Sequence, residues 1–219
     1  DDASVFDEKT RHLVSSTRFV FNYARAYLAY GDTRYKARVE SGIQFLRDYH
    51  LQEDTGGYAW LLDVDGKACN VVDATNHCYG LAFVILAYSW ALRAGVKEAE
   101  QYIHDVFALM ETHFWDAEYG LYKDEFNADF SRCSDYRGQN ANMHSCEALI
   151  AAFEATRHGP FLERALLLAH NITERQADKA NGRIWEHYTK TWEVDWEYNK
   201  DDPKNLFRPW GFQPGHHTE

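Results

Sequence analysis

The sequence predicts an all-α fold, a toroid of stacked helix pairs with short β-hairpins between the pairs. Three observations lead to it. First, three glycine-centred segments share a character: "DTGGYAWLLD" around Gly57, "DAEYGLYKDEF" around Gly120 and "DKANGRIWEHY" around Gly182. The glycines lie 63 and 62 residues apart, a period that marks repeated supersecondary units. Second, the stretches between them carry apolar residues three and four apart, the signature of amphipathic helices. Third, these helices come in pairs, and the first member of each pair is the more apolar. "CYGLAFVILAYSWAL" and "SCEALIAAFEA" are apolar nearly all round, whereas "EAEQYIHDVFALMETH" has a charged face. That contrast predicts concentric layers, first helices inside and second helices outside.

The elements follow in order. The first pair spans about 8–30, with Leu13, Phe19, Val20, Tyr23, Ala24 and Tyr27 at helical spacing, and about 33–49, with Tyr35, Val39, Ile43, Phe45 and Leu46. A hairpin follows, because Asp65-Gly66 suits a tight turn between "YAWLLDV" and "KACNVV". The second pair covers about 75–94 and 97–114, the third about 140–157 and 160–177. Gly95 and Gly159 suit helix C-termini, and Pro160 suits the first turn of the next helix. Asn140 or Asn142 is a good N-cap for the fifth helix. Pro214-Gly215 opens a further inner helix. Three pairs make half of a six-pair ring, and no segment resembles the polar cap that a repeat array needs. The expectation is one domain over residues 1–219, incomplete, from a longer protein.

Composition narrows the function. Asp and Glu outnumber Lys and Arg by 34 to 23, for a net charge of -11, which repels a phosphate backbone and excludes nucleic acid as a partner. No apolar stretch approaches the ~20 residues of a membrane span, and the acidic "DDASVFDEKT" start is no signal peptide. Four cysteines without C-x-x-C spacing read as reduced thiols in a cytoplasmic protein. "NIT" at Asn171 is a glycosylation sequon only in a secreted chain. Aromatics reach 16%, which suits either helix packing or stacking against a sugar face.

Each inner helix presents polar groups near its start. The first has Arg18, expected to be partly buried among Phe19, Val20 and Phe21. The second has His77, a cap or packing residue, and Tyr79, either core or pocket wall. The third has Asn140 and His144, and the fourth has His216 and Glu219 in "PGHHTE". If the inner helices run parallel, these groups meet at one mouth and line a polar pocket. His144 with Glu147, and His216 with Glu219, form H-x-x-E pairs on one helix face. Di-metal bundles use E-x-x-H instead, so neither a metal nor another cofactor is expected.

"STRFVFNYARAY", "YGLAF", "RGQNANMHSCEAL" and "RPWGFQPGHHTE" together resemble the N-acylglucosamine 2-epimerase superfamily, in order and along essentially the whole chain. "RHLVSSTRFVFNYA" is most similar to its D-mannose isomerase type of aldose–ketose isomerase. The resemblance implies an (α/α)6 barrel, of which this chain would carry roughly half, lacking the first helix and the C-terminal half. It implies sugar-binding roles for Arg18, Asn140 and His144, an acid/base role for His216 in a G-H-x-x-E motif, and a sugar contact for Glu219; Tyr79, by its place at the same mouth, is a further substrate-binding candidate. His217 falls at a variable position and inherits nothing. The family's second catalytic histidine has no match here, so the isolated chain is expected to be inactive. The implied reaction interconverts D-mannose and D-fructose through an enediol. A 2-epimerase acting on N-acylglucosamine or cellobiose is the alternative. An α/α-toroid glycoside hydrolase is more remote, because it needs two flanking carboxylates and no pair stands at the inner helix heads.

Overall fold

A computed structural model describes residues 4–5, 7–66, 68–205 and 207–218. Six long helices form two layers. In one layer α3 (Cys78–Arg93) lies between α1 (Leu13–Tyr30) and α5 (Gln139–Thr156). In the other, α2 (Thr33–Phe45), α4 (Ala99–His113) and α6 (Gly159–His170) each pack on the helix before them. α3 is buried on almost every side. α4 buries only Ala99, Ile103, Val106 and Met110. The apolar-inside contrast therefore holds.

Local chemistry sets the helix ends. His12 Nδ1 accepts from Val14 N at 3.2 Å and caps α1. Gly31, at φ 70°, ends it in the left-handed conformation that glycine adopts without penalty. α1 buries Leu13, Val14, Thr17, Val20 and Ala24. Phe19 lies off that stripe and is 63% exposed, which corrects its place in the expected core: a residue 100° from the stripe cannot share it. α2 and α6 each widen into a π-helical turn, Leu46–His50 and Asn171–Gln176. A single turn, α7 (Ala177–Lys179), follows the second, and α8 (Pro214–Thr218) opens as expected. Two cap assignments change. Arg157, at φ 62°, ends α5, and Gly159 instead begins α6. Gly138, rather than an asparagine, is the N-cap of α5, so the cap residue itself makes no side-chain cap bond.

Short strands gather near the starts of the inner helices. β1 (Thr10–His12), β2 (Leu61–Asp65) and β3 (Ala68–Asp73) form an antiparallel sheet in that order, with Gly66 in the tight turn. β4 (Asn76–His77) pairs with β7 (Glu125–Phe126). β5 (Trp115–Asp116) and β6 (Leu121–Tyr122) make the hairpin expected at Gly120. The hairpin expected at Gly182 is absent among the described residues. Gly182 closes a turn onto Ala177 O, and β9 (His187–Tyr188) pairs with β8 (Arg137–Gly138) at the head of α5. β9 also bridges Val194 locally, so its pairing lies beyond Gly182 rather than around it.

Asn171 is buried and its Nδ2 donates to Gly120 O at 2.6 Å, so the sequon offers no accessible amide. All four cysteines are free. No helix among the described residues is long and apolar enough to cross a membrane.

Candidate active site

A cavity of about 580 Å³ opens at the N-terminal ends of α3 and α5. Tyr79 from α3 and Asn140 and Ala141 from α5 form one wall. Trp60 and His77 form a second, Asp124, Glu125 and Tyr136 a third. The segment after β9 closes the rest with Tyr198, Asn199, Asn205, Phe207, Arg208 and Pro209, and α8 brings His216. The heads of α3, α5 and α8 therefore share one mouth.

The two asparagines of "NANMHSCEAL" do different work. Asn142 is fully buried. Its Oδ1 accepts from Tyr122 N at 2.7 Å, and its Nδ2 donates to Tyr122 O and Gly138 O, each at 3.0 Å. It ties the head of α5 to the β5–β6 hairpin. Asn140 lines the cavity, and its Oδ1 is buried without a hydrogen-bond partner. An acceptor left unpaired at the wall of a polar cavity is available to a ligand hydroxyl.

His144 lies one row behind the wall. Its ring is 5.2 Å from Tyr79 and 4.8 Å from Phe83, centroid to centroid, and its Nδ1 is 3.1 Å from Glu147 Oε2. The guanidinium of Arg18 sits 4.7 Å above the Phe83 ring. Arg18 is exposed, which corrects the expectation of partial burial: its helix position faces away from the buried stripe, and one aromatic face is its packing partner. The structure thus brings Tyr79, Asn140 and His216 to the cavity and sets Arg18 and His144 in an adjoining aromatic cluster. Glu219 lies outside the described residues.

His77 occupies the N-cap position of α3 but makes no side-chain cap bond there. Its Nδ1 is instead 3.2 Å from Glu125 Oε1, and its ring lies 4.0 Å from Trp60. Glu125 also receives Arg208. Burial pushes the Glu125 carboxyl up, but the His77 hydrogen bond and the Arg208 charge outweigh it and hold the group at about 2. The neighbouring Asp124 accepts from Gly138 N at 2.7 Å. Here burial wins against the pull of Arg208 and pushes the carboxyl up to about 7. Adjacent carboxyls shifted in opposite directions are a common mark of functional sites.

Burial also lowers His187. Its Nε2 meets Pro209 O at 2.8 Å, so Nε2 carries the proton and Nδ1 accepts from Tyr136 OH at 2.9 Å. These bonds, with Asn199 Nδ2 to Arg208 O at 2.8 Å, fix the covering segment. His216 Nδ1 lies 2.9 Å from Glu186 Oε2. Among the described residues, no three His, Cys, Asp or Glu side chains are grouped closely enough to hold a metal.

Trp60, Glu125, Glu186 and Arg208 were not singled out from the sequence. Trp60 lies inside the first glycine segment, and Arg208 inside "RPWGFQPGHHTE", so both sat within stretches already marked. Glu125 and Glu186 sit inside the second and third glycine segments, but nothing local marked them as site residues, because long-range pairing of β4 with β7 and β8 with β9 brings them to the cavity.

The family model for N-acylglucosamine 2-epimerase matches residues 1–219. The chain is 58% identical over 220 residues to the D-mannose isomerase of Marinomonas mediterranea, covering 100% of this chain and 55% of that protein. It is 32% identical to the D-mannose isomerase of Pseudomonas cannabina pv. alisalensis, covering 97% and 52%. A crystal structure of D-mannose isomerase superposes with a TM-score of 0.93 at 57% identity, covering 98% of this chain and 54% of that one. The chain belongs to the N-acylglucosamine 2-epimerase family. It spans about half the length of the curated relatives it matches.

Proposed function

We propose that this chain forms roughly half of an (α/α)6 barrel, and that the complete protein is a cytoplasmic isomerase interconverting D-mannose and D-fructose. The observation that carries the reading is the convergence of His216, Asn140 and Tyr79 on one aromatic-walled cavity. The likeness to two D-mannose isomerases supports the substrate. The cavity's charge supports a neutral sugar. Arg208 is the one Lys or Arg in its described lining, and Glu125 already holds it.

The proposed chemistry moves one proton between C2 of the aldose and C1 of the ketose through an enediol, together with the accompanying hydroxyl–carbonyl proton shift. An imidazole, with a reference pKa of ~6.5, can take and return such a proton near neutral pH. Asn140, Arg18 and His144 would hold the sugar oxygens and stabilise enediolate charge by hydrogen bonding. Glu219 would add a sugar contact. The partner acid/base histidine has no match in this sequence, so the reading assigns it to the other half of the barrel. The 2-epimerase alternative shares the proton abstraction from C2 and returns the proton to the opposite face of the same carbon.

The test incubates mannose in deuterated water with the complete protein and follows exchange at C1 and C2. His216→Asn should lower exchange by ~10²–10⁴-fold, the usual contribution of acid/base catalysis, while sugar still binds. Exchange at the unsubstituted rate would remove His216 from the mechanism. Label confined to C2, with mannose converted to glucose, would favour epimerisation.

A further inference from the structure

His216 is not alone at its end of the cavity. Glu186, on the residue before β9, is buried, with its side chain 3% exposed. Its Oε2 is 2.9 Å from His216 Nδ1. Both carboxylate oxygens also accept from Gln139 Nε2, each at 3.1 Å. Gln139 is the first residue of α5 and is itself buried. The backbone repeats the link, since Gln139 N donates to Glu186 O at 3.2 Å. An ionised carboxylate only accepts, so a hydrogen bond from His216 requires the proton on Nδ1. A neutral ring in that state has its lone pair on Nε2.

We propose that Glu186, steadied by Gln139, is a positioning residue that holds His216 in its Nδ1–H tautomer and leaves Nε2 as the proton-exchanging atom. This rests on the acid/base reading of His216. The physical reasoning is that of a carboxylate behind a catalytic imidazole. The carboxylate fixes tautomer and ring orientation and stabilises the cation that forms when Nε2 takes a proton, without itself becoming protonated. Burial makes the effect larger, because a hydrogen bond shielded from water is electrostatically stronger. Gln139 matters because its amide restricts the carboxylate to one orientation. The arrangement also joins the head of α5, which carries Asn140, to the short helix that carries His216.

Two measurements on the complete protein test this. The first needs no substitution. The ¹⁵N chemical shifts of labelled His216, recorded at a pH where the ring is neutral, should report a proton on Nδ1. A ring protonated on Nε2 overturns the proposal whether or not the protein is an isomerase. The second is Glu186→Gln, which keeps the size of the side chain and removes its charge. The expected result is a kcat about 10²-fold lower, with the affinity for D-mannitol, an unreactive probe without a carbonyl, within about threefold of the original. A kcat within about threefold of the original overturns the proposal. So does a parallel loss of kcat, mannitol affinity and melting temperature, which is the behaviour of a structural brace. If His216→Asn keeps its exchange activity, the acid/base reading fails, and the tautomer measurement still decides what Glu186 does to the ring.

Discussion

Asn142→Ala and Asn140→Ala should have opposite consequences, although the residues are two apart on one helix. Asn142 makes three hydrogen bonds at 2.7, 3.0 and 3.0 Å from a fully buried position. Truncation strands the buried Tyr122 N–H and takes one partner each from Tyr122 O and Gly138 O. A stranded buried donor costs about 1–3 kcal/mol, and each lost bond about 1 kcal/mol. The total is about 3–5 kcal/mol, or a melting temperature lower by about 10 °C for a protein of this size. Asn140 Oδ1 has no protein partner to lose, so Asn140→Ala should change stability by no more than about 0.5 kcal/mol. It should instead weaken sugar binding about tenfold, equal to about 1.4 kcal/mol. Urea denaturation and equilibrium binding of mannitol separate the two. The reasoning is refuted if Asn142→Ala melts within about 1 kcal/mol of the original, or if Asn140→Ala proves equally destabilising.

Three further outcomes follow from the packing. His50 is fully buried between Ala59 O at 2.8 Å and Ser16 Oγ at 3.1 Å, and burial lowers it to about 4. The unfolded chain therefore binds a proton that the folded protein refuses, and stability should fall by about 3 kcal/mol as pH drops from ~6.5 to ~4. Denaturation across that range should show His50→Gln with a flatter profile, and an unchanged slope would sink the assignment. Asp124, pushed up to about 7, has the opposite sign. The folded protein keeps a proton that the unfolded chain has released, so this group's share of stability falls as pH rises from ~4 to ~7. Asp124→Asn should remove that share, seen as a difference slope against the original protein. Finally, Gly120 has φ 69°, and a Cβ there would sit 2.4 Å from Asn171 Nδ2. Gly120→Ala should cost more than about 2 kcal/mol in calorimetry by combining strain with a clash; a neutral result would mean that the hairpin shifts freely.

By itself the sequence determined what depends on neighbours along the chain. The 3.6-residue periodicity placed all six long helices, and their contrast in polarity assigned the layers. Asp65-Gly66 and Gly120 placed two hairpins, since a positive φ is a local demand. It also marked Tyr79, Asn140 and His216 as polar groups near the starts of inner helices, and these three reach the cavity. What failed were features set by contacts between distant segments. No hairpin forms around Gly182 among the described residues, and β9 pairs with β8, more than 45 residues earlier. Gly138 took the cap because Asn142 was drawn into bonds with Tyr122, twenty residues earlier. Arg18 is solvent-facing because a helical wheel, unlike a list of neighbours, puts it off the buried stripe. Only the tertiary structure could bring Glu125 to His77 and Arg208, or Glu186 to Gln139 and His216. Those carboxylates sit in the second and third glycine segments, whose repeat does not say what each side chain faces, and their orientation comes from burial and from partners up to 83 residues away.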